Sequence, residues 1–405
     1  MDLRLSPARL SGSVTPPPSK SMAHRLVIAA SLAGGESRIE NIAFSKDIEA
    51  TLRCMEALGC RWERTEQNAI SLQGRCADLP AQPFPHLDCG ESGSTLRFLI
   101  PVSLALRGGG TFTGGGRLME RPQQPYFDLF AEKGIFYSLE DGVLTVRGQL
   151  TPGEYSLPGN VSSQFFTGLL FALSLLDAPS TLRSTTPLES ADYVTMTLEA
   201  MAAAGVQAKQ VDDRTFTVFP AEYRPFTAAV EADWSQAAFW YAAAFLDHPV
   251  SLSGLRSDSP QGDKVVSEFY WQLARPGDTV IDLSGYPDLL PPLAVMAAAR
   301  QGTTHFTGAA RLRLKESDRL STVAAMLTAL GISVQELSDG LLVTGGNFSG
   351  GTVDGANDHR IVMAAAIAAT RASAPVTILG AEAVRKSYPD FFTEFSRLGG
   401  AADVL

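Results

Sequence analysis

The sequence predicts a two-domain α/β protein built from repeated helix–strand units. Three observations carry that expectation. At 405 residues the chain is too long for one ordinary core. Ala- and Leu-rich helices with polar starts recur about every 70 residues. Amphipathic helices between them stop at glycine and run into short strand-like segments.

The polar starts follow one another at Ser21-Met22-Ala23-His24-Arg25, Ser92-Gly93-Ser94-Thr95-Leu96-Arg97, Ser162-Ser163-Gln164, Trp234-Ser235-Gln236, Pro287-Asp288-Leu289 and Asn357-Asp358-His359-Arg360. The amphipathic helices open near Asp47, Pro125, Asp192, Asp263, Asp318 and Asp390. Three of them end in Leu-Gly (Leu58-Gly59, Leu330-Gly331, Leu398-Gly399) and two in a bare glycine, Gly134 and Gly205. Strands are expected after them, as at Thr215 to Val218 and Leu341 to Thr344. Six helix–strand–helix–strand–strand units fit this pattern, three per domain. The interval between the fourth and fifth is shorter, so the fourth is expected to be trimmed, with Arg275 to Ile281 holding little beyond one strand.

Prolines set the boundaries. Thr15 to Pro18 is a stiff, non-helical crossing, and a return crossing is expected near Glu231-Ala232-Asp233-Trp234. One domain then spans residues 19–231, inserted into a discontinuous domain of residues 1–18 plus 232–405.

Charge narrows the function. With 33 basic and 43 acidic residues the formal net charge is −10, which argues against nucleic acid or an anionic membrane as partner. A small anion held by a few well-placed cations remains compatible. Cys54, Cys60, Cys76 and Cys89 form no C-x-x-C pair and no Cys/His spacing suited to zinc, so reduced thiols in a cytoplasmic protein are expected. No charged-then-apolar leader is read at the N-terminus. The longest apolar run, Phe165 to Leu176, is too short to span a bilayer.

Several stretches offer chemistry beside a plainer reading. Ser19-Lys20-Ser21 with Arg25 is either a capped helix with solvated cations or an anion site at a helix N-terminus. Gly90 to Arg97 joins glycines and hydroxyls, as an oxyanion site or as an ordinary N-cap at Ser92 or Ser94; it lacks the spacing of a P-loop. Arg117 is read as the partner of Glu120 in a surface ion pair, whereas Arg121 suits bidentate contact with phosphate or carboxylate. Ser162-Ser163-Gln164 either caps a helix or binds a polar substrate. Lys315-Glu316-Ser317-Asp318-Arg319, just after Arg311 and Arg313, is a solvated helix face or a mixed acid/base and phosphate site. Asp288 is an N-cap or a base with a raised pKa. His359 is read as structural, since no Gly-x-Ser-x-Gly elbow accompanies it.

Taken together and in order, these motifs resemble the 5-enolpyruvylshikimate-3-phosphate (EPSP) synthase family of enolpyruvyl transferases over essentially the whole chain. They are Ser19-Lys20-Ser21 with Arg25, Gly93-Ser94 with Arg97, Glu120-Arg121-Pro122, Ser162-Ser163-Gln164, Pro287-Asp288, Lys315 to Arg319, Asn357 to Arg360, and Lys386-Ser387-Tyr388-Pro389-Asp390. The resemblance implies an inside-out α/β barrel in each of two domains, with three βαβαββ repeats apiece, closing on a hinge. It implies transfer of the enolpyruvyl group of phosphoenolpyruvate to the 5-hydroxyl of shikimate 3-phosphate, with release of phosphate. By matching position, Ser21, Arg25, Ser162, Ser163, Gln164, Ser190, Asp288 and Lys315 are expected to hold shikimate 3-phosphate. Lys20, Gly93, Arg121, Gln164, Arg319, Arg360 and Lys386 are expected to hold phosphoenolpyruvate. Asp288 and Glu316 resemble the family's proton-transfer pair, with Lys20 an alternative to Glu316. No metal, nucleotide or covalent enzyme intermediate is implied, and a monomer is expected.

Three positions depart from the commonest pattern of the family: Glu91 stands for Asn, Phe98 for Pro and Arg311 for Asn. Gly93 implies sensitivity to glyphosate, against which Glu91 counts. A UDP-N-acetylglucosamine enolpyruvyl transferase shares the chemistry, but that family carries a reactive cysteine in the loop where this chain has Arg121. A non-catalytic metabolite-binding module is the reading from another class, and it has no need of Asp288, Glu316 and Lys20 together.

Overall fold

A helix that is buried on nearly every side has almost no face to give to water, and among the described residues six helices are of that kind. In the computed structural model, which describes residues 1–74 and 84–405, these are the polar-start helices. Lys20–Leu32, Gly93–Arg107 and Gln164–Leu173 form one set. Trp234–Phe245, Leu290–Ala299 and His359–Ala369 form the other, after a turn at Pro287–Leu289. Every residue of His359–Ala369 is buried. Alanines such as Ala294, Ala297, Ala364 and Ala365 leave no bulk between these helices, so they pack closely in the core. Cys76 lies outside the described residues.

The chain divides into two compact units, Met1–Pro17 with Ala232–Leu405, and Pro18–Glu231. Each has its own hydrophobic core around its three inner helices. The crossings are held locally: Asp233 N–H donates to the Pro17 carbonyl at 2.9 Å, and Ser19 N–H to that of Glu231 at 2.7 Å.

Amphipathic helices and sheets cover the inner helices. Lys46–Ala57 is capped by Ser45, Arg319–Ala329 by Asp318, and Phe391–Arg397 starts after Asp390. Gln124–Lys133 ends at Gly134 in the left-handed region (φ 67°), whose N–H returns to the Phe130 carbonyl. The expected opening at Asp263 is a short 3-10 turn, Gly262–Val265, that leads into Val266–Leu273.

The sheet pattern repeats. His86–Asp88 pairs in parallel with Gly109–Thr113, which pairs antiparallel with Val143–Arg147, and Phe136–Glu140 closes the edge. Glu154–Leu157, Ser180–Ser184, Thr215–Val218 and Ala208–Gln210 follow the same order, as do Thr279–Asp282, Thr303–Thr307, Leu341–Thr344 and Ser333–Glu336. In two repeats a strand comes from the far end of the same compact unit: Thr227–Ala229 pairs with Gly35–Glu40, and Leu3–Ser6 sits between Val376–Leu379 and Ala401–Val404.

The fourth repeat is the exception, as its short interval suggests. Only Gly12–Val14 and Val250–Leu252 form its sheet. The strand expected for it within Arg275 to Ile281 is Thr279–Asp282, which belongs instead to the fifth sheet, where Thr303–Thr307 offers a full parallel partner. Among the described residues, five four-stranded sheets and one two-stranded sheet thus cover the inner helices. The sheets remain separate, so helices are inside and strands outside without a closed barrel.

Candidate active site

In the Pro18–Glu231 unit, the prolines end at Ser19, whose hydroxyl caps the first inner helix by accepting from Met22 N–H at 3.4 Å. Lys20 Nζ then lies 2.7 Å from Asp47 Oδ2, with both side chains largely covered. One turn on, Arg25 is enclosed. Its Nε donates to Thr197 Oγ1 at 2.9 Å, Nη1 to the Ser21 carbonyl at 2.7 Å, and Nη2 to Thr167 Oγ1 and the Tyr193 carbonyl. Phe98 and Tyr193 stack on its guanidinium. Burial pulls the Arg25 pKa down to about 10, which still leaves it charged.

Ser92 caps the second inner helix through Thr95 N–H at 3.2 Å. A side chain at Gly93 would displace a neighbour: a Cβ there would fall 2.5 Å from Nη1 of the buried Arg121, so the guanidinium would have to shift. Arg121 Nε has no hydrogen-bond partner among the described residues. Glu91 lies against Gly116, where an added Cβ would stand 2.5 Å from Oε2, so the glycine run makes space for this carboxylate. Arg117 and Glu120 form the exposed pair expected of them, at 3.7 Å.

Gln164 is held at both ends. Its Oε1 accepts from Arg97 Nη1 at 2.9 Å and its Nε2 donates to Ser94 at 3.0 Å. Ser162 accepts from Gln164 N–H at 3.3 Å, while the buried Ser163 makes no cap bond. Ser190 opens the Ala191–Ala203 helix from the left-handed region (φ 54°, ψ 47°). A non-glycine residue there stores backbone strain, a recurrent property of ligand sites.

In the other unit one arginine organises the acids. Arg319 is 1% exposed, and it donates from Nη1 to Asp288 Oδ1 at 2.8 Å, from Nη2 to Glu316 Oε2 at 2.7 Å and from Nε to Asp358 Oδ2 at 2.9 Å. Burial opposes its charge, but Asp358, Glu316 and Asp288 outweigh burial and push the pKa up. Asp358 is buried as well; it caps the His359–Ala369 helix at Arg360 N–H and accepts from Ser317 at 3.0 Å.

Asp288 stands on the Pro287–Leu289 turn. Beyond Arg319 it has Arg360 Nη2 at 3.2 Å and Lys315 Nζ at 3.5 Å. The expected alternatives, an N-cap or a carboxyl with a raised pKa, both fail here. The N-cap positions here are Tyr286 and Leu289 rather than Asp288, and although burial favours its neutral form, Arg360, Lys315 and Arg319 hold it well below the ordinary carboxylate range. Burial brings Lys315 down to about 8. Lys386, itself buried, donates to the Asn357 carbonyl at 2.7 Å, next to the left-handed pair Ala356 and Asn357 (φ 50° and 52°). His359 is buried with Nδ1 4.0 Å from Asp358 Oδ1, beyond hydrogen-bond reach.

The structure therefore joins Asp288, Lys315, Glu316, Arg319 and Arg360 in one ion-pair network, with Lys386 at the same helix start as Arg360. It joins Gly93 with Arg121. It keeps Ser21 and Arg25 in a separate hydroxyl-lined cluster and pairs Lys20 with Asp47. Asp47, Asp358 and Asp263 were not singled out as site residues from sequence. All three carried a visible signal as acids at helix starts. Among the described residues no group of three or more His, Cys, Asp or Glu side chains is placed to hold a metal ion. Such a network suits proton transfer beside an oxyanion-binding surface.

Comparison with known proteins agrees with this chemistry. Residues 5–395 match the family model described as EPSP synthase (3-phosphoshikimate 1-carboxyvinyltransferase). A 3-phosphoshikimate 1-carboxyvinyltransferase of Clostridium acetobutylicum is 42% identical over 416 aligned positions, covering 98% of this chain and 97% of that protein. The enzyme of the same name from Clostridium kluyveri is 41% identical with the same coverage. Among solved structures, EPSP synthase from Acinetobacter baumannii superposes with a TM-score of 0.80 at 24% identity over the whole of both chains. The enolpyruvyl transferase NikO from Streptomyces tendae superposes at 0.79 and 19% identity, covering 99% of this chain and 98% of that one; these two speak for the fold alone. The chain belongs to the EPSP synthase (3-phosphoshikimate 1-carboxyvinyltransferase) family.

Proposed function

We propose that this enzyme transfers the enolpyruvyl group of phosphoenolpyruvate to the 5-hydroxyl of shikimate 3-phosphate and releases inorganic phosphate, the penultimate chemistry being a tetrahedral adduct. The two compact units are its two enolpyruvyl transferase domains. The observation that carries the reading is the Arg319 network, which places an ionised carboxylate, Asp288, and a second acid, Glu316, on one buried cation. A base must take the 5-hydroxyl proton as the oxygen attacks C2, and an acid must supply C3. Asp288 takes the first role. Glu316 takes the second, with Lys20 as the alternative.

The remaining groups bind. Ser21, Arg25, Ser162, Ser163, Gln164, Ser190 and Lys315 hold shikimate 3-phosphate; Lys20, Gly93, Arg121, Gln164, Arg319, Arg360 and Lys386 hold phosphoenolpyruvate. As the adduct expels phosphate, C3 returns a proton to the group that supplied it and the C2–C3 double bond re-forms, while Arg121, Arg360 and Lys386 stabilise the departing charge. The reading requires both sets to act on the same substrate pair. The Arg121 guanidinium seated on Gly93 supports binding of small phosphonate inhibitors such as glyphosate. A monomer acting in the cytoplasm, apart from nucleic acid and membrane, is consistent with the net charge of −10 and with the free thiols of Cys54 and Cys89.

The test is direct. Purified enzyme with both substrates should release phosphate, and with either alone should not. Binding of shikimate 3-phosphate without phosphate release would replace the transferase with a metabolite-binding module.

A further inference from the structure

Two rungs join the first inner helix of the Pro18–Glu231 unit to its amphipathic neighbour. Lys20 and His24 stand one turn apart on Lys20–Leu32, as Asp47 and Thr51 do on Lys46–Ala57. Lys20 Nζ meets Asp47 Oδ2 at 2.7 Å, and His24 Nδ1 meets Thr51 Oγ1 at 2.8 Å. The second rung runs on into a third helix. Thr51 Oγ1 lies 2.7 Å from Thr95 Oγ1, and Thr95 Oγ1 donates to Ser92 Oγ at 2.7 Å. All four side chains are buried, and His24, Thr51 and Thr95 belong to no role assigned above.

The hydrogens of this chain can run only one way. A hydroxyl has one hydrogen to give. Thr95 gives its own to Ser92 Oγ, so the hydrogen between Thr95 and Thr51 comes from Thr51. Thr51 then has none left for the ring, and His24 must donate from Nδ1. Burial, with Lys20 and Arg25 adding to it, holds the His24 pKa well below 6.5, so the ring is neutral and Nε2 is bare. Nε2 has no hydrogen-bond partner among the described residues. The opposite tautomer would take the Thr51 hydrogen away from Thr95 and bury an N–H with nothing to accept it.

The chain ends on the first turn of Gly93–Arg107. Ser92 Oγ accepts from both the N–H and the hydroxyl of Thr95, at 3.2 and 2.7 Å, which fixes the cap. Gly93 follows Ser92 directly, and a Cβ on it would fall 2.5 Å from Arg121 Nη1. The same turn carries Ser94 and Arg97, which hold the two ends of Gln164. We propose that Thr51 is a positioning residue for the candidate phosphoenolpyruvate site: its hydroxyl, supplied by His24 Nδ1–H, ties the Ser92–Thr95 turn to the two neighbouring helices and so fixes the Gly93 backbone on which the Arg121 guanidinium is seated. This rests on the transferase reading for the identity of the anion. Valine at position 51 would keep the shape of the side chain while leaving His24 without its acceptor and Thr95 without its donor, so the turn would be released.

The experiment uses the full chain as wild type, T51V, T51S and H24Q. Two-bond nitrogen–proton correlation spectra of isotope-labelled histidine, with H24Q identifying the signal, read the tautomer. His24 should carry its hydrogen on Nδ1 and none on Nε2. Steady-state kinetics read the position. In T51V, KM for phosphoenolpyruvate should rise about three- to tenfold, the fold-change of one ordinary hydrogen bond, with kcat changed by about twofold at most. KM for shikimate 3-phosphate should stay within about twofold of the wild type, because Arg25 is held by Thr197, Thr167 and the Tyr193 carbonyl, all outside the chain. T51S restores the hydroxyl and should restore KM. A merely structural role would lower Tm in T51V and leave the ratio of the two KM values alone.

A His24 ring protonated on Nε2 overturns the proposal, as does a wild-type KM for phosphoenolpyruvate in T51V or a raised one in T51S. Should T51V fail to fold, Thr95→Ala removes the next link and takes its place, and an unchanged KM there overturns the proposal. The two readings fail separately. If the wild type releases no phosphate with both substrates, the transferase reading falls, and calorimetric affinity for inorganic phosphate replaces KM. That affinity should drop in T51V and recover in T51S; an unaltered or undetectable one overturns this inference too. Turnover with wild-type kinetics in T51V sinks this inference and leaves the transferase standing.

Discussion

Arg319 Nη1 lies 2.8 Å from Asp288 Oδ1, and the guanidinium that makes this contact is 1% exposed. The same side chain also reaches Glu316 and Asp358. Taking a charge out of water and then removing its partner is among the most damaging changes a protein can suffer. Arg319→Ala should therefore destabilise its unit by about 3–5 kcal/mol. Denaturant unfolding of wild type and variant measures this, and a loss under about 1 kcal/mol would mean that the three acids find other partners.

Asp288→Asn keeps the shape of the side chain and removes the base. Substrate binding should persist while kcat falls by roughly 10²–10⁴-fold, the usual contribution of a positioned proton acceptor. Steady-state kinetics together with a separate measurement of shikimate 3-phosphate affinity check it. A kcat near that of the wild type would remove Asp288 from proton transfer.

Gly93→Ala places a methyl group 2.5 Å from Arg121 Nη1, so the guanidinium must move. A displacement of that size should raise KM for phosphoenolpyruvate by about ten- to a hundredfold and weaken inhibition by glyphosate at least as much. Affinity for shikimate 3-phosphate should change little. Inhibition curves at fixed phosphoenolpyruvate concentration decide the matter, and Gly93→Ala with wild-type values for both ligands would dissociate Gly93 from the anion site.

Lys315 has a pKa near 8, lowered chiefly by burial. Above that pH it loses the charge that would meet the substrate anion, so kcat/KM for shikimate 3-phosphate should decline on the alkaline side. Lys315→Arg keeps its charge to far higher pH and should lose that alkaline limb. An identical pH profile in both proteins would assign the limb to another group.

Two buried histidines make the fold sensitive to acid. Burial lowers His248 to about 4, with Arg371 adding to the effect, and takes His24 well below its ordinary value of 6.5. Both rings are hydrogen-bonded to hydroxyls, His248 to Thr370 at 2.7 Å and His24 to Thr51 at 2.8 Å. Below pH 6.5 the unfolded chain takes up protons that the folded one refuses, so stability falls as pH drops from there toward 4. Unfolding midpoints across that window should decline, and His248→Gln should make the decline shallower. A variant with the wild-type slope would clear His248 of the effect.

Much of the architecture was legible because its signals are local. The serine at position 45 and the aspartate at 318 cap helices, and Gly134 ends one, through bonds to residues at most four positions away. The strands read at Thr215–Val218 and Leu341–Thr344 have those bounds, and the short fourth interval shows as a two-stranded sheet. The sheet that Thr279–Asp282 joins was not legible, because strand pairing is a contact between distant segments and leaves no mark on either one alone.

The sequence by itself determined where helices begin and end, that apolar helices recur, and that cations stand at their starts, since capping, periodicity and backbone freedom are properties of neighbouring residues. Only the tertiary structure decided what those cations meet. Arg319 finds Asp288 at a separation of 31 residues, and Lys20 finds Asp47 at 27. It also decided that Asp288 is a clamped, low-pKa carboxylate while Asp263, an acid of the same type, keeps its proton to about neutrality. Charge state depends on desolvation and on the sign of whatever lies within a few ångströms, and folding alone supplies both.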